Sequence, residues 1–106
     1  KVLNVTRINS MEFDTEKALR KRMKDYRKKA REQFPEAELL MIVKTSPKSV
    51  IAISSYSTQE AADRADAMRA KRVATLKKAT SWHMEGEVSF FDLKDETSTE
   101  RLNSPD

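Results

Sequence analysis

The 106-residue sequence has no cysteine, one glycine, three prolines, one tryptophan and one histidine. Without cysteine there is no disulfide framework, thiol nucleophile, zinc–thiolate centre or iron–sulfur cluster, and a reducing compartment such as the cytoplasm is the expected location. A single glycine leaves no Gly-rich phosphate loop. No run of about 18 apolar residues is present to span a membrane, and the chain does not open on the basic-then-apolar pattern of a secretion signal. The composition is therefore that of a soluble domain without an evident cofactor, and neither a cofactor nor a metal is expected.

Charge is plentiful, at 36% of residues with a net +4. It is unevenly spread, since residues 14–34 hold nine Lys/Arg against four Asp/Glu. With so little Gly and Pro, this suits long solvated helices rather than a loop-rich enzyme. The length predicts one domain, over residues 1–93, followed by a polar stretch without period, 94–106, read as a tail or an arm.

The organising stretch is Leu39–Ser57 (LLMIVKTSPKSVIAISSYS), two apolar runs rich in β-branched residues around a Ser-Pro-Lys turn, which predicts a central hairpin. LLMIV and VIAI are apolar on both parities, so both faces of the ribbon need cover. Before it, Lys1–Asn9 reads as a first strand. Asp14 can cap a helix whose stripe is Leu19, Met23, Tyr26, Ala30 and Phe34, stopped by Pro35. After the hairpin, Ser57-Thr58-Gln59-Glu60 matches a capping box and predicts a second helix from Thr58 to about Ala79. Glu87–Leu93 (EVSFFDL) is then expected as the last strand. The five methionines read as flexible core filler.

The resulting order is β-α-β-β-α-β, an α+β ferredoxin-like arrangement in which a four-stranded antiparallel sheet carries both helices on one face. Its other face stays bare and apolar, which predicts a homodimer packed sheet to sheet. In element order, long helices and doubly apolar strands over Lys1–Leu93, the chain resembles the dimeric α+β barrel proteins, which include the antibiotic-biosynthesis-monooxygenase-like and stress-responsive barrel families. The resemblance implies homodimers, ligands held between sheet and helices, and activities that range from cofactor-free oxygenation to haem breakdown to none established. Haem-degrading members use an Asn, a Trp and a His. Asn4, Trp82 and His83 supply those types here, but Trp and His are adjacent where the family separates them.

The second helix carries the main site expectation. With Ala65 taken as inward at about 100° per residue, Ala61, Arg69, Arg72, Leu76 and Ala79 share its direction within about 40°. Small Ala side chains leave room, and the Arg69 and Arg72 forks suit a carboxylate on an otherwise apolar, fatty-acid-like ligand. The competing reading has both Arg stems snorkelling at the helix flanks. Trp82 and His83 are further candidates for ligand binding. His83 is also the candidate general base, and no acid–base pair can be assigned around it. Tyr56 and Asp92, at strand ends, could close a pocket or be ordinary surface groups.

Three functions stay open: a small-molecule binding protein, a cofactor-independent monooxygenase-like enzyme, and a nucleic-acid-binding module using Arg20, Lys24, Arg27 and Arg31 of the first helix. The last is disfavoured. The RNA-recognition module of this topology stacks bases on central-strand aromatics beside glycine, and SVIAISSY offers Tyr56 alone.

Overall fold

In the computed structural model, residues 2–73 and 79–94 are described, with side chains over residues 2–69 and 83–94. The elements are β1 (Val5–Phe13), α1 (Glu16–Gln33), β2 (Leu39–Ser46), β3 (Ser49–Tyr56), α2 (Gln59–Val73) and β4 (Ala79–Glu87). All pairings are antiparallel, and the sheet order is β2-β3-β1-β4. The fold is thus the ferredoxin-like α+β arrangement, with β1 and β3 central and β2 and β4 at the edges.

Local chemistry explains the helix starts. Thr15, in extended conformation, accepts a hydrogen bond at its side chain from the Ala18 N–H at 3.0 Å, so the cap sits one residue beyond Asp14. Thr58 Oγ1 accepts from the Ala61 N–H at 3.1 Å and caps α2 in the same way. Pro35 follows α1 directly, and the guanidinium of Arg31 donates to the carbonyl of Ala37, closing the turn into β2. Arg64 of α2 grips Glu36 of that turn with both ends of its fork, at 2.6 and 2.7 Å. This pair draws the Glu36 carboxyl below its ordinary value, chiefly through the hydrogen bond from Arg64.

Alternation decides the two faces of the sheet. Val5, Arg7, Asn9 and Met11 of β1 stand in register with Tyr56, Ser54, Ala52 and Val50 of β3, and this parity faces the helices. Under α1, Leu19, Met23 and Val50 form one buried cluster, with Met11, Phe13 and Ile42 against it. Under α2, Val5, Phe34, Ala37, Tyr56, Ala61, Ala62 and Ala65 form another. The opposite parity carries Met84, Ile8, Ile53 and Met41, aligned in one row across all four strands. Met41 is 45% exposed and Met84 55%, so the far face is apolar and open.

The last strand is not Glu87–Leu93. Val88–Leu93 has no regular structure, and Phe90, Phe91 and Leu93 are exposed. β4 is instead the polar segment Ala79–Glu87, paired with β1 alone. An edge strand needs backbone partners on one side and little apolar surface, so hydrophobic alternation passes it over. The first strand likewise begins at Val5 rather than Lys1 and runs on to Phe13, and α2 is described only to Val73, with Ala79 already in β4. Of the methionines, Met23 is buried and Met11 packs beside its cluster, whereas Met41, Met68 and Met84 are exposed; they are not core filler. The stretch 95–106, expected as a tail, lies outside the described residues.

Candidate functional site

Between the two buried clusters lies a partly open cavity of about 60 Å³. One water takes about 10–15 Å³ of such space, so the cavity accommodates the head of a small organic molecule rather than a whole fatty chain. Its floor is the sheet, through Met11, Leu40, Ile42, Ala52 and Tyr56, and its roof comes from Met23 and Tyr26 of α1 and Ala65 of α2. The wall is mostly apolar. Polar side chains interrupt it, among them Arg7 and Asn9 of β1, Ser54 of β3, Arg22 of α1 and Arg69 of α2.

Arg7 is 3% exposed. Its Nη1 donates to Glu85 Oε1 of β4 at 2.7 Å, and its Nη2 is ion-paired with Asp66 Oδ1 of α2 at 2.9 Å. Both acids are themselves held, Glu85 by Gln59 at 2.7 Å and Asp66 by Arg69 at 3.5 Å. Arg7 is therefore neutralised by its neighbours, and Asp66 is shared between Arg7 and Arg69. Arg22 and Arg69 each have a buried Nε without a hydrogen-bond partner, and Asn9 Oδ1 is in the same condition. Leaving such a group unmatched costs about 1–3 kcal/mol, so these atoms mark where a ligand can contribute most. Burial pulls the Arg22 guanidinium below its ordinary value, and this is only partly opposed by Asp25 and Tyr26. Burial also raises the Tyr56 phenol, with a hydrogen bond to Ser54 and the charges of Arg7 and Arg69 acting the other way.

Of the residues singled out from sequence, Tyr56 and Arg69 line this cavity together. Arg72 lies in α2 and Trp82 in β4, but their side chains are outside the described residues. His83 is exposed on β4, opposite Asn9 in the β1–β4 register, and is not among the lining residues. Asn4 is engaged elsewhere, donating to the Ser57 carbonyl at 2.8 Å, and Asp92 is exposed beyond β4. The trio Asn4, Trp82 and His83 thus has its asparagine committed to a backbone contact. In the basic helix, Arg20 pairs with Glu16 at 3.0 Å and Arg31 caps carbonyls, so two members of that stripe are already occupied. Among the described residues no three His, Asp or Glu side chains gather in a way that could hold a metal, and no helix is long and apolar enough to cross a membrane.

The cavity residues missed in the sequence are Arg7, Asn9 and Arg22. Arg7 and Asn9 fell within the expected first strand, and they share parity with Val5 and Met11. Two polar residues on the apolar parity of a strand are the signal that could have found them. Arg22 was hidden among the cations of its helix.

No protein-family model and no curated protein matches the sequence. Solved structures do match. A dimeric ferredoxin-like protein from an uncultured marine organism aligns at a TM-score of 0.69 and 13% identity, over 88% of this chain and 94% of that one. The likeness is one of fold, the ferredoxin-like α+β arrangement described above. A protein of unknown function from Nitrosomonas europaea shares this fold at a TM-score of 0.68 and 13% identity, over 89% of this chain and 97% of that one. SnoaB, a cofactor-independent oxygenase from Streptomyces nogalater, shares it at 0.64 and 16%, over 89% and 100%. At such identities the likeness is of the fold alone.

The buried phenol gives a pH dependence with a definite sign. Tyr56 is 1% exposed and its folded pKa is raised above the ordinary 10.0. Its neutral form therefore contributes fully below pH 10, and that contribution is lost as pH rises from there through the folded pKa. Urea denaturation of wild type and Tyr56→Phe between pH 8 and 11 should show the stability difference shifting against the wild type above pH 10. A difference constant across the range would contradict the assignment.

Proposed function

We propose that this chain is a homodimeric binding protein that takes an apolar, carboxylated small molecule of fatty-acid type between its helices and its sheet. The observation that carries this reading is the Arg69 Nε, buried without a partner at the wall of an otherwise apolar cavity. A carboxylate gives a guanidinium two acceptor oxygens, and the remaining apolar wall favours a ligand with a hydrocarbon body. In this reading the acid group and the first carbons occupy the enclosed space of about 60 Å³, with a longer tail leaving through the open side. Arg72 and Trp82 remain expected contributors from the end of α2 and from β4.

The dimer is part of the proposal. The open row Met84, Ile8, Ile53 and Met41, with Val43 and Leu39 beside it, is a surface a second copy can cover by packing sheet to sheet. The marine neighbour, described as a dimeric ferredoxin-like protein, supports an assembly of this kind.

A second reading, a cofactor-independent monooxygenase-like enzyme, is favoured by the likeness to SnoaB. In that case the ligand is turned over in the same cavity, and His83, at the edge strand opposite Asn9, is the candidate base.

Three measurements test these statements. Calorimetric titration with octanoate should give saturable binding that Arg69→Leu weakens by about 1.5–3 kcal/mol, the range for hydrogen bonds to charged groups, while 1-octanol binds weakly to both; equal octanoate affinity for the variant refutes the site. Light scattering should find a dimer that Ile53→Arg converts to a folded monomer, and a wild-type monomer at micromolar concentration rules the assembly out. For the enzyme reading, oxygen uptake with any substrate the wild type oxidises should vanish in His83→Ala, and an unchanged rate removes His83 from the chemistry.

A further inference from the structure

Four buried side-chain atoms among the described residues have no hydrogen-bond partner, and all four belong to residues lining the same cavity: Arg7 Nη2, Asn9 Oδ1, Arg22 Nε and Arg69 Nε. The first is matched in charge by Asp66 at 2.9 Å. The other three come from three separate elements, β1, α1 and α2, and Asn9 is only 9% exposed. Unmatched polar atoms are few in a native interior, and their convergence on one cavity defines the complement of what belongs there.

Donors and acceptors can be read in turn. The two Nε–H groups stand on opposite helices and both require an acceptor, which a carboxylate supplies with its two oxygens. Asn9 Oδ1 requires a donor. A cationic amine would donate, but it would stand beside the guanidiniums of Arg7, Arg22 and Arg69 while the carboxylates of Asp66 and Glu85 are already paired with Arg7 and Arg69. An amide N–H would bring a carbonyl of its own into a space of about 60 Å³. A hydroxyl is small, neutral, and both gives and takes a hydrogen bond.

We propose that Arg22 of α1 and Arg69 of α2 clamp the ligand's carboxylate between the two helices while Asn9 of β1 reads a hydroxyl on the same molecule, so that the ligand class is an apolar hydroxy acid rather than a plain acid. This rests on the reading of the cavity as an acid-binding site and narrows its ligand. It also gives Arg22, which lies outside the stripe expected from sequence, a specific task.

The probes are octanoate, 2-hydroxyoctanoate and 3-hydroxyoctanoate, titrated calorimetrically into the full chain. On the wild type, one of the two hydroxy acids should bind at least tenfold tighter than octanoate. Asn9→Leu should bring that ratio to within about twofold of unity, and the smaller Asn9→Ala should do the same if the leucine variant fails to fold by circular dichroism. Arg22→Met should weaken octanoate and the preferred hydroxy acid alike by tenfold or more, with Arg22→Lys, which keeps the charge but not the fork, falling between. If octanoate binds and neither hydroxy acid gains over it, or if the gain survives in both Asn9 variants, the hydroxyl assignment is overturned and the acid site stands. Failure of all three acids to bind the wild type overturns both.

Discussion

The architecture turns on one buried guanidinium. Arg7 sits on the central strand β1 at the level where α2 crosses the sheet, and its two terminal nitrogens reach an acid on α2 and an acid on β4. Burying such a charge costs several kcal/mol unless it is paired and hydrogen-bonded, and Asp66 and Glu85 meet that demand from two directions. Among the described residues, α2 buries Ala61, Ala62 and Ala65 against the sheet. Three methyl groups bury little apolar surface. The ionic contact, with Arg64 on Glu36, therefore sets where α2 rests, and the shortness of its alanines leaves the space that becomes the cavity.

That dependence explains the pattern of what could be read from the chain. Elements whose position is set by apolar burial were legible, namely the doubly apolar ribbon of β2 and β3 and the stripe from Leu19 to Phe34; the start of α2 was read one residue early, since its cap is Thr58 rather than Ser57 of the expected capping box. β4 was not, because Thr80, Ser81, His83, Glu85 and Glu87 give no hydrophobic period, and its place follows from pairing with β1 and from Glu85 reaching Arg7. The apolar VSFFDL run drew the strand assignment away from it, yet its aromatics end up exposed. At the site, Arg69 and Tyr56 followed from helix phase and strand position. Arg7 and Asn9 show locally only as polar residues on the apolar parity of β1; that they stand beside Ser54 and Ala52 at the cavity follows from the strand register. Arg22 requires knowing where α1 meets the sheet.

Structures at 13% to 16% identity share the layers and sheet of this chain. Such divergence is what the packing permits, because a helix-on-sheet core asks for apolar volume in the right parity and tolerates many residues that supply it. The polar groups are under another constraint. A buried Arg or Asn is acceptable only with its own partners in place, so the constellation at this cavity is specific in a way that the surrounding fold is not, and fold likeness alone does not assign it a ligand.

The contact between Arg7 and Glu85 joins residues 78 positions apart, whereas the β2–β3 ribbon closes on itself across a two-residue turn at Pro47 and Lys48. Loop closure costs rise with the logarithm of the span, by about 0.6 kcal/mol per doubling, and long-range pairing lags behind local pairing in folding. On a ribosome the ribbon and α1 emerge with every residue they need, while the central strand waits for the chain's last third before its second flank is filled. Until then the backbone of β1 has an unpaired side and its arginine lacks one acid, so the nascent chain stays exposed to strand exchange with its neighbours. The final edge strand is the latch of the molecule, and its arrival time limits how soon the domain can be released intact.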